Sequence, residues 1–165
     1  MKITVDKTIL SQSGFYHIVV TLLVLFFIFS VQNYSQQLQT YSFEQVEQLV
    51  EENPRPILLY FYTDWCQYCK MLQKNTFKDK KVTEKLNNNY YVIFFNGETK
   101  VDVKHQNKKF SYVPKGIKSG YHQLVYFYLK NRQEIYPTIL FLDNDFKELA
   151  FLQSYLSAQN LLKIL

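Results

Sequence analysis

The sequence predicts an α/β domain with a central mixed β-sheet and helices on both faces. The continuous apolar and aromatic run Ile57–Tyr62 is typical of a strand buried on both faces. A helical pattern leads from it to a second such run, Tyr90–Phe95, which predicts a parallel strand–helix–strand unit. Further on, Ile135–Leu142 and Phe146–Leu152 flank the turn residues 143–145 and predict an antiparallel hairpin.

Caps and apolar residues at helical spacing predict the helices that flank this sheet. They are Phe43–Glu52 with a capping box at Ser42 and Gln45, a helix running from Cys66 towards Asn75, a short helix capped by Asp79 that carries Val82 and Leu86, and Ala158–Leu165 capped by Ser157.

The segment Asn96–Arg132 is the least regular part of the chain, and we interpret it as an insertion before the third buried strand. Glycine, proline and lysine residues separate short apolar pieces within it. Val101–Val103 and Phe110–Tyr112 are predicted to pair as a hairpin, and Tyr121–Leu129 is predicted to be a helix.

Length and composition favour one compact domain after a targeting segment. The chain has 165 residues, of which 47% are hydrophobic, and 14 Tyr and 14 Phe supply bulky material for a core. Lys and Arg exceed Asp and Glu by 19 to 14, and the basic residues are scattered in short groups. This pattern indicates a solvated surface, so we expect no nucleic acid partner.

The N-terminal region has the pattern of an export signal. The uncharged apolar run Ile18–Phe29 follows Lys2 and Lys7 and precedes the polar stretch Gln32–Thr40. The run is shorter than the roughly 20 residues of a spanning helix, which favours a signal peptide. No clean small-residue cleavage site follows it, so an uncleaved anchor is the alternative.

Both alternatives divide the chain in the same way. Residues 1–35 form the signal peptide or anchor with its linker, and residues 36–165 form the folded domain outside the cytoplasm. We therefore expect an extracytoplasmic, periplasmic location. Contact with the membrane is expected only through residues 15–31, and only if the segment is retained.

The two cysteines of the chain carry the predicted chemistry. Cys66 and Cys69 are separated by two residues, follow a buried strand and begin a helix. Free N–H groups and the dipole at a helix N-terminus stabilise an anion, so Cys66 should ionise more readily than a free cysteine. The spacing places Cys69 one turn behind it, near enough to resolve a mixed disulfide. Cys66 is predicted to attack and Cys69 to resolve.

Other interpretations of these residues are open. A structural disulfide is possible, although a loop this short constrains the unfolded chain little. A zinc site would need further ligands, and His105 and His122 lack paired spacing; each is expected to be a surface or half-buried histidine, and we predict no metal site. Trp65 either packs at the end of the strand or shields the disulfide and contacts substrate.

The segment Tyr62–Lys70 (YTDWCQYCK) resembles the active-site segment of the thioredoxin superfamily, and Tyr136-Pro137-Thr138 matches its second signature. The fuller run Asp64-Trp65-Cys66…Cys69-Lys70…Thr76-Phe77…Val82 resembles in particular exported thioredoxin-like proteins and the periplasmic C-terminal domain of DsbD-type thiol:disulfide interchange proteins, and the similarity is specific around Trp65 to Phe77. The similarity covers roughly Phe43–Leu165 and is loose across the insertion.

The resemblance implies a thioredoxin fold and dithiol–disulfide exchange with protein substrates that needs no cofactor. It implies that Pro137 is cis and opposite the dithiol, whereas an edge-strand proline is the plainer alternative. The backbone at Tyr136 would pair with an extended substrate segment, and Trp65 would contact it. A membrane-bound electron donor and a reductase role are implied in the same way. A binding or assembly module with an idle or structural disulfide is the alternative function.

The sequence also departs from these relatives at two acidic positions. Tyr60 stands where thioredoxins have a buried acid, and Gln73 stands where the DsbD-type domain has one. An anion near the dithiol opposes formation of the thiolate, so the absence of both carboxylates is expected to shift the couple towards oxidising, with Asp64 partly restoring the effect.

Overall fold

The computed structural model describes residues 16–25, 37–117 and 119–165. The chain divides into two units, Met1–Ser35 and Gln36–Leu165. In the first unit, residues 16–25 are helical and exposed. The rest of the predicted export segment, including Lys2, Lys7 and residues 26–35, lies outside the described residues. Among the helices that are described, none has the length and hydrophobicity needed to cross a membrane.

The second unit contains eight strands and five helices within its described residues. In chain order they are α1 (Phe43–Glu52), β1 (Ile57–Tyr62), α2 (Gln67–Met71, continued as a π-helix over Leu72–Thr76), α3 (Lys80–Asn89), β2 (Tyr91–Asn96), β3 (Val103–His105), β4 (Lys108–Phe110), β5 (Tyr112–Pro114), β6 (Gly120–His122), α4 (Gln123–Leu129), β7 (Thr138–Leu142), β8 (Glu148–Leu152) and α5 (Ala158–Ile164).

The central sheet is mixed, as the sequence predicted. Its strand order is β2-β1-β7-β8. β1 runs parallel to β2 and antiparallel to β7, and β8 completes the hairpin with β7. β1 therefore occupies a central position with neighbours on both sides.

Two hydrophobic cores cover the two faces of this sheet. Ile57, Leu59 and Phe61 of β1 face the core formed with α1 and α4. Leu58 and Tyr60 face the core formed with α2, α3 and α5. Each fully buried large side chain contributes about 1.5–3 kcal/mol of transfer free energy, so β1 holds both layers together.

The insertion hairpin keeps the predicted register but differs from the prediction in its strand bounds. Val103 does pair with Phe110, but the strands are Val103–His105 and Lys108–Phe110. Gln106 and Asn107 form the two-residue turn, with φ of 50° and 59°. Two left-handed residues match the twist of a tight hairpin, and this turn has no glycine to mark it in the sequence.

Other element boundaries also differ from the prediction. Tyr121 and His122 pair with β5 instead of starting the helix, so α4 begins at Gln123. The third buried strand begins at Thr138, because Pro137 has no N–H to donate to a β-ladder. The second strand of that hairpin begins at Glu148, after a left-handed Phe146 with φ of 62°.

The expectation of surface or half-buried histidines was wrong: His105 and His122 are both 0% exposed. His105 lies between Glu47 of α1 and Tyr128 of α4, with Nδ1 at 2.6 Å from Glu47 Oε1 and Nε2 at 2.7 Å from the Tyr128 hydroxyl. A neutral imidazole satisfies both contacts, since Nδ1–H donates to the carboxylate and Nε2 accepts from Tyr128. This contact fastens the β3–β4 hairpin to two helices.

His122 fastens the second hairpin of the insertion. Its Nδ1 accepts from the N–H of Leu124 at 3.3 Å and so caps α4, while Nε2 lies 3.1 Å from the carbonyl oxygen of Val101. Its backbone N–H donates to the carbonyl of Gly97 at 2.8 Å. Burial lowers the pKa of His122 and of His105, against the opposing effects of the Val101 carbonyl and of Glu47.

These histidines predict a loss of stability on mild acidification. Folding lowers the pKa of both histidines, so as the pH falls the unfolded chain takes up protons at a higher pH than the folded chain does. The free energy of unfolding should therefore fall as the pH drops from about 7 to about 5.5, by at most ~1.4 kcal/mol per pH unit for each histidine. Urea unfolding at several pH values measures this. The His105→Gln, His122→Gln double variant should show a flatter profile; a wild-type profile that is already flat would contradict the prediction.

Candidate functional site

The structure brings Cys66 and Cys69 together as a disulfide at the start of α2. The Cα atoms are 5.2 Å apart, and the backbone N–H of Cys69 donates to Cys66 Sγ at 3.1 Å. Cys66 is the N-cap residue of α2, directly after the turn that ends β1. Cys69 is 0% exposed and Cys66 is 4% exposed, so the solvent-facing edge of the disulfide belongs to Cys66.

The helix that carries the dithiol is held at its far end. After Met71 it continues as a π-helix, in which the N–H of Phe77 donates to the carbonyl of Leu72 at 2.9 Å. The Thr76 hydroxyl donates to the carbonyl of Leu156 at 2.6 Å, which links the helix to the segment before α5. Leu72 is fully buried between these contacts. The helix that carries both cysteines is thus anchored to the core.

Tyr60, which replaces the expected buried acid, is fully buried beneath the dithiol. Its hydroxyl donates to the carbonyl oxygen of Cys69 at 3.1 Å. Burial raises the pKa of Tyr60, an effect that a hydrogen bond with the Gln73 side chain partly offsets. The two positions that lack carboxylates therefore contact each other, and Tyr60 presents a neutral hydroxyl to the helix that carries both cysteines.

The peptide bond between Tyr136 and Pro137 is cis, as the resemblance implied. Antiparallel pairing of Phe61 with Thr138 places the start of β7 beside the end of β1, from which the Cys66 loop departs. Because β7 begins at Thr138, the Tyr136 backbone precedes its ladder.

Trp65 is 63% exposed, so it does not fill a core position at the end of the strand. Its ring meets Tyr136 edge-on, with the ring centroids 6.1 Å apart. The indole N–H donates to Glu98 Oε1 at 3.0 Å. Trp65 thus spans the surface between the dithiol and the cis-proline loop.

Three residues of the site were not singled out in the sequence. Glu98 holds Trp65, and Glu134 accepts from the Tyr136 hydroxyl at 2.9 Å. Gly97 lies under Tyr136, because a Cβ there would come within 2.0 Å of the tyrosine hydroxyl. A signal for Gly97 and Glu98 did exist: they follow β2, and parallel strands bring their carboxyl ends to the same edge as Cys66.

Several exposed apolar side chains lie near the dithiol. Trp65, Tyr68, Met71 and Ile135 are all exposed. Exposed apolar residues grouped at one place are typical of a surface that contacts another protein. Among the described residues, no group of three or more His, Cys, Asp or Glu side chains is arranged to hold a metal ion. The chemistry that this site offers is thiol–disulfide exchange.

Comparisons with known proteins agree with this geometry. The sequence profile of the thioredoxin-like domain matches residues 43–165. The thiol:disulfide interchange protein DsbD of Campylobacter jejuni is 31% identical over 122 residues, which are 74% of this chain and 18% of that protein. The chain therefore spans less than a fifth of the length of this curated relative.

Solved structures of low sequence identity share the fold. A DsbH oxidoreductase superposes with a TM-score of 0.56 at 15% identity, covering 81% of this chain and 86% of the other. A thioredoxin from Thermus thermophilus gives a TM-score of 0.55 at 20% identity, covering 78% and 84%. The mixed sheet and the Cys66–Cys69 disulfide agree with this fold. Because the family profile matches residues 43–165, this chain belongs to the thioredoxin-like domain family.

Proposed function

We propose that this chain is an exported thiol:disulfide oxidoreductase that reduces or exchanges disulfides in extracytoplasmic proteins. The Cys66–Cys69 disulfide at the start of α2, beside the cis Tyr136–Pro137 bond, is the observation that carries the proposal. The fold and the disulfide-exchange relatives support oxidoreductase activity.

The proposed reaction proceeds through a mixed disulfide. In the reduced protein, the Cys66 thiolate attacks one sulfur of a substrate disulfide, that bond breaks, and one substrate thiolate leaves and takes up a proton. The Cys69 thiolate then attacks Cys66 Sγ and releases the second substrate thiol. Two electrons pass from the dithiol to the substrate, and Cys66–Cys69 closes. The Cys69 N–H, 3.1 Å from Cys66 Sγ, is placed to stabilise negative charge on that sulfur.

The surface beside the dithiol supports binding of an extended protein segment. The Tyr136 backbone lies outside the β7 ladder and offers main-chain hydrogen bonds, while exposed Trp65 and Tyr68 offer apolar contact. Pro137 directly precedes β7, which begins at Thr138. In this proposal Trp65, Tyr136 and Pro137 are the residues that bind substrate.

Location and electron donor are the further parts of the proposal. The charged residues before the apolar run Ile18–Phe29 support export by a signal peptide or an N-terminal anchor, and hence a periplasmic site of action. The relative DsbD is named a thiol:disulfide interchange protein, which supports passage of electrons between dithiols. A membrane-bound donor that re-reduces Cys66–Cys69 follows from that likeness.

Replacement of either cysteine by serine should impair the reaction at a different step. Cys66→Ser should abolish reduction of a protein disulfide such as insulin, because the attacking sulfur is gone. Cys69→Ser should retain the attack and accumulate a mixed disulfide that dithiothreitol releases, which non-reducing electrophoresis and mass measurement detect. Turnover by Cys66→Ser equal to that of the wild type would contradict the proposal and favour a binding module with an idle disulfide.

The missing carboxylates predict the direction of a change in redox potential. Gln73 contacts Tyr60 and lies four residues after Cys69, so Gln73→Glu adds a negative charge near the dithiol. The charge destabilises the thiolate of the reduced form, and the midpoint should become more negative, by about 30 mV for a tenfold change in equilibrium. Trp65 fluorescence in thiol/disulfide buffers measures the midpoint.

Asn75→Glu is the matched control, since it adds the same charge at an exposed position of the same helix. An equal shift in both variants, or a shift to more positive values, would contradict this prediction. The redox midpoint potential of the wild type also indicates the direction of electron flow. A value near the roughly −270 mV of thioredoxin favours a reductase, and one near the roughly −120 mV of DsbA favours an oxidase.

Export is tested by fusing residues 1–36 to alkaline phosphatase, which folds only where its disulfides form. The fusion should be active, because the apolar run would carry the enzyme across the membrane. The mass of the full chain recovered from cells then separates a cleaved signal peptide from a retained anchor. An inactive, cytoplasmic fusion would contradict the proposed location.

A further inference from the structure

The carboxylate of Glu134 joins two tyrosines from different parts of the fold. Oε1 accepts from the hydroxyl of Tyr136 at 2.9 Å, and Oε2 accepts from the hydroxyl of Tyr126 at 2.7 Å. Tyr136 precedes the cis-proline, whereas Tyr126 lies on α4 of the insertion. One side chain therefore links the insertion to the loop beside the dithiol.

The link extends further into the insertion through Lys115. Its ammonium group donates to the Tyr126 hydroxyl at 3.0 Å and lies over the rings of Tyr121 and Tyr126, 4.5 Å and 5.3 Å from their centroids. The Tyr126 hydroxyl thus accepts from Lys115 and donates to Glu134, so its hydrogen-bonding capacity is used on both sides. A continuous chain of three hydrogen bonds connects the β5–β6 turn to Tyr136.

Tyr136 is also confined on its other sides. Gly97 leaves room for the tyrosine, since any Cβ at that position would lie 2.0 Å from the hydroxyl. The Trp65 ring meets Tyr136 edge-on. Burial and the nearby Glu134 carboxylate both raise the pKa of Tyr136, so the hydroxyl stays protonated and acts as a donor. The side chain is held by Glu134 in a space that fits it closely.

The rest of this loop is fastened to the sheet. Arg132 makes two hydrogen bonds of 2.7 Å with Glu148 of β8. The Gln153 side chain, just after β8, donates to the carbonyl of Gln133 at 2.8 Å and to the Thr138 hydroxyl at 3.2 Å. These contacts fix the ends of the loop, and Glu134 connects its middle to the insertion.

We propose that Glu134 is a positioning residue that sets the place of Tyr136, and through it the backbone that receives the substrate. The insertion thereby governs the affinity for protein substrates through Tyr126 and Lys115. This inference rests on the proposed function, because it assigns the Tyr136 backbone to substrate binding.

The test compares a protein disulfide with a small one, using the full chain. Glu134→Ala and Tyr126→Phe should raise the KM for insulin by ~3- to 10-fold, the range expected for the loss of one or two hydrogen bonds, with kcat nearly unchanged. Reduction of hydroxyethyl disulfide, which is too small to pair with the loop, should stay within about twofold of the wild type. Glu134→Gln should lie close to the wild type, since an amide can still bridge two hydroxyls.

Tyr41→Phe is the matched control, because it removes a tyrosine hydroxyl whose 2.9 Å bond goes to Gln39 on the surface. It should leave both substrates unaffected. An unchanged KM for insulin in Glu134→Ala and Tyr126→Phe, or an equal loss against both substrates, would overturn the inference while leaving the proposed function intact. A wild-type chain that reduces neither substrate would instead refute the proposed function, and the inference with it.

Discussion

Burial of β1 on both faces is the constraint on which the rest of the structure depends. Its residues alternate between two cores, so the strand has to lie in the middle of the sheet with helices above and below it. The chain leaves the core at the end of such a strand, and Cys66 follows there as the N-cap residue of α2. The neighbours β2 and β7 then bring Gly97 and Pro137 to the same edge. The dithiol, the cis-proline and the insertion meet because they all border one buried strand.

The parts of the fold that sequence could predict are those in which a local pattern and the tertiary environment agree. The capping box at Ser42 and Gln45 forms as expected, and so does the helix capped by Asp79. The cysteine spacing predicted the location of the disulfide, and the family likeness predicted the cis bond before Pro137. These features depend on residues close together in the chain or on a short motif, so their signal is contained in the sequence itself.

The insertion was harder to predict because long-range contacts decide its structure. In the β3–β4 turn, Gln106 and Asn107 adopt left-handed conformations. A glycine would indicate such a turn in the sequence, but this turn has none. His105 looked like a surface residue because its partners, Glu47 and Tyr128, lie on separate helices and are brought to it only by the fold. Glu134 was overlooked because Tyr126, the partner that connects it to the insertion, lies on α4 and is brought to it only by the fold, although Tyr136 is two residues away in the chain. A buried polar group can be recognised in sequence only when its partner is near in sequence.

Tyr60 and Gln73 stand where the resemblance implied acids, which changes how a proton would be transferred at the dithiol in the proposed reaction. Burial raises the pKa of Tyr60, and its hydroxyl already donates to the Cys69 carbonyl, so it is poorly suited to take a proton from the Cys69 thiol. In the proposed reaction, resolution by Cys69 would then depend on solvent, on the leaving substrate thiolate, or on the charges at the mouth of the site. Charges near that mouth include Asp64, next to Trp65, and Glu98, which is bonded to the indole. Asp64 and Glu98 therefore lie at the rim of the proposed site, whereas Tyr60 beneath the dithiol carries a neutral hydroxyl.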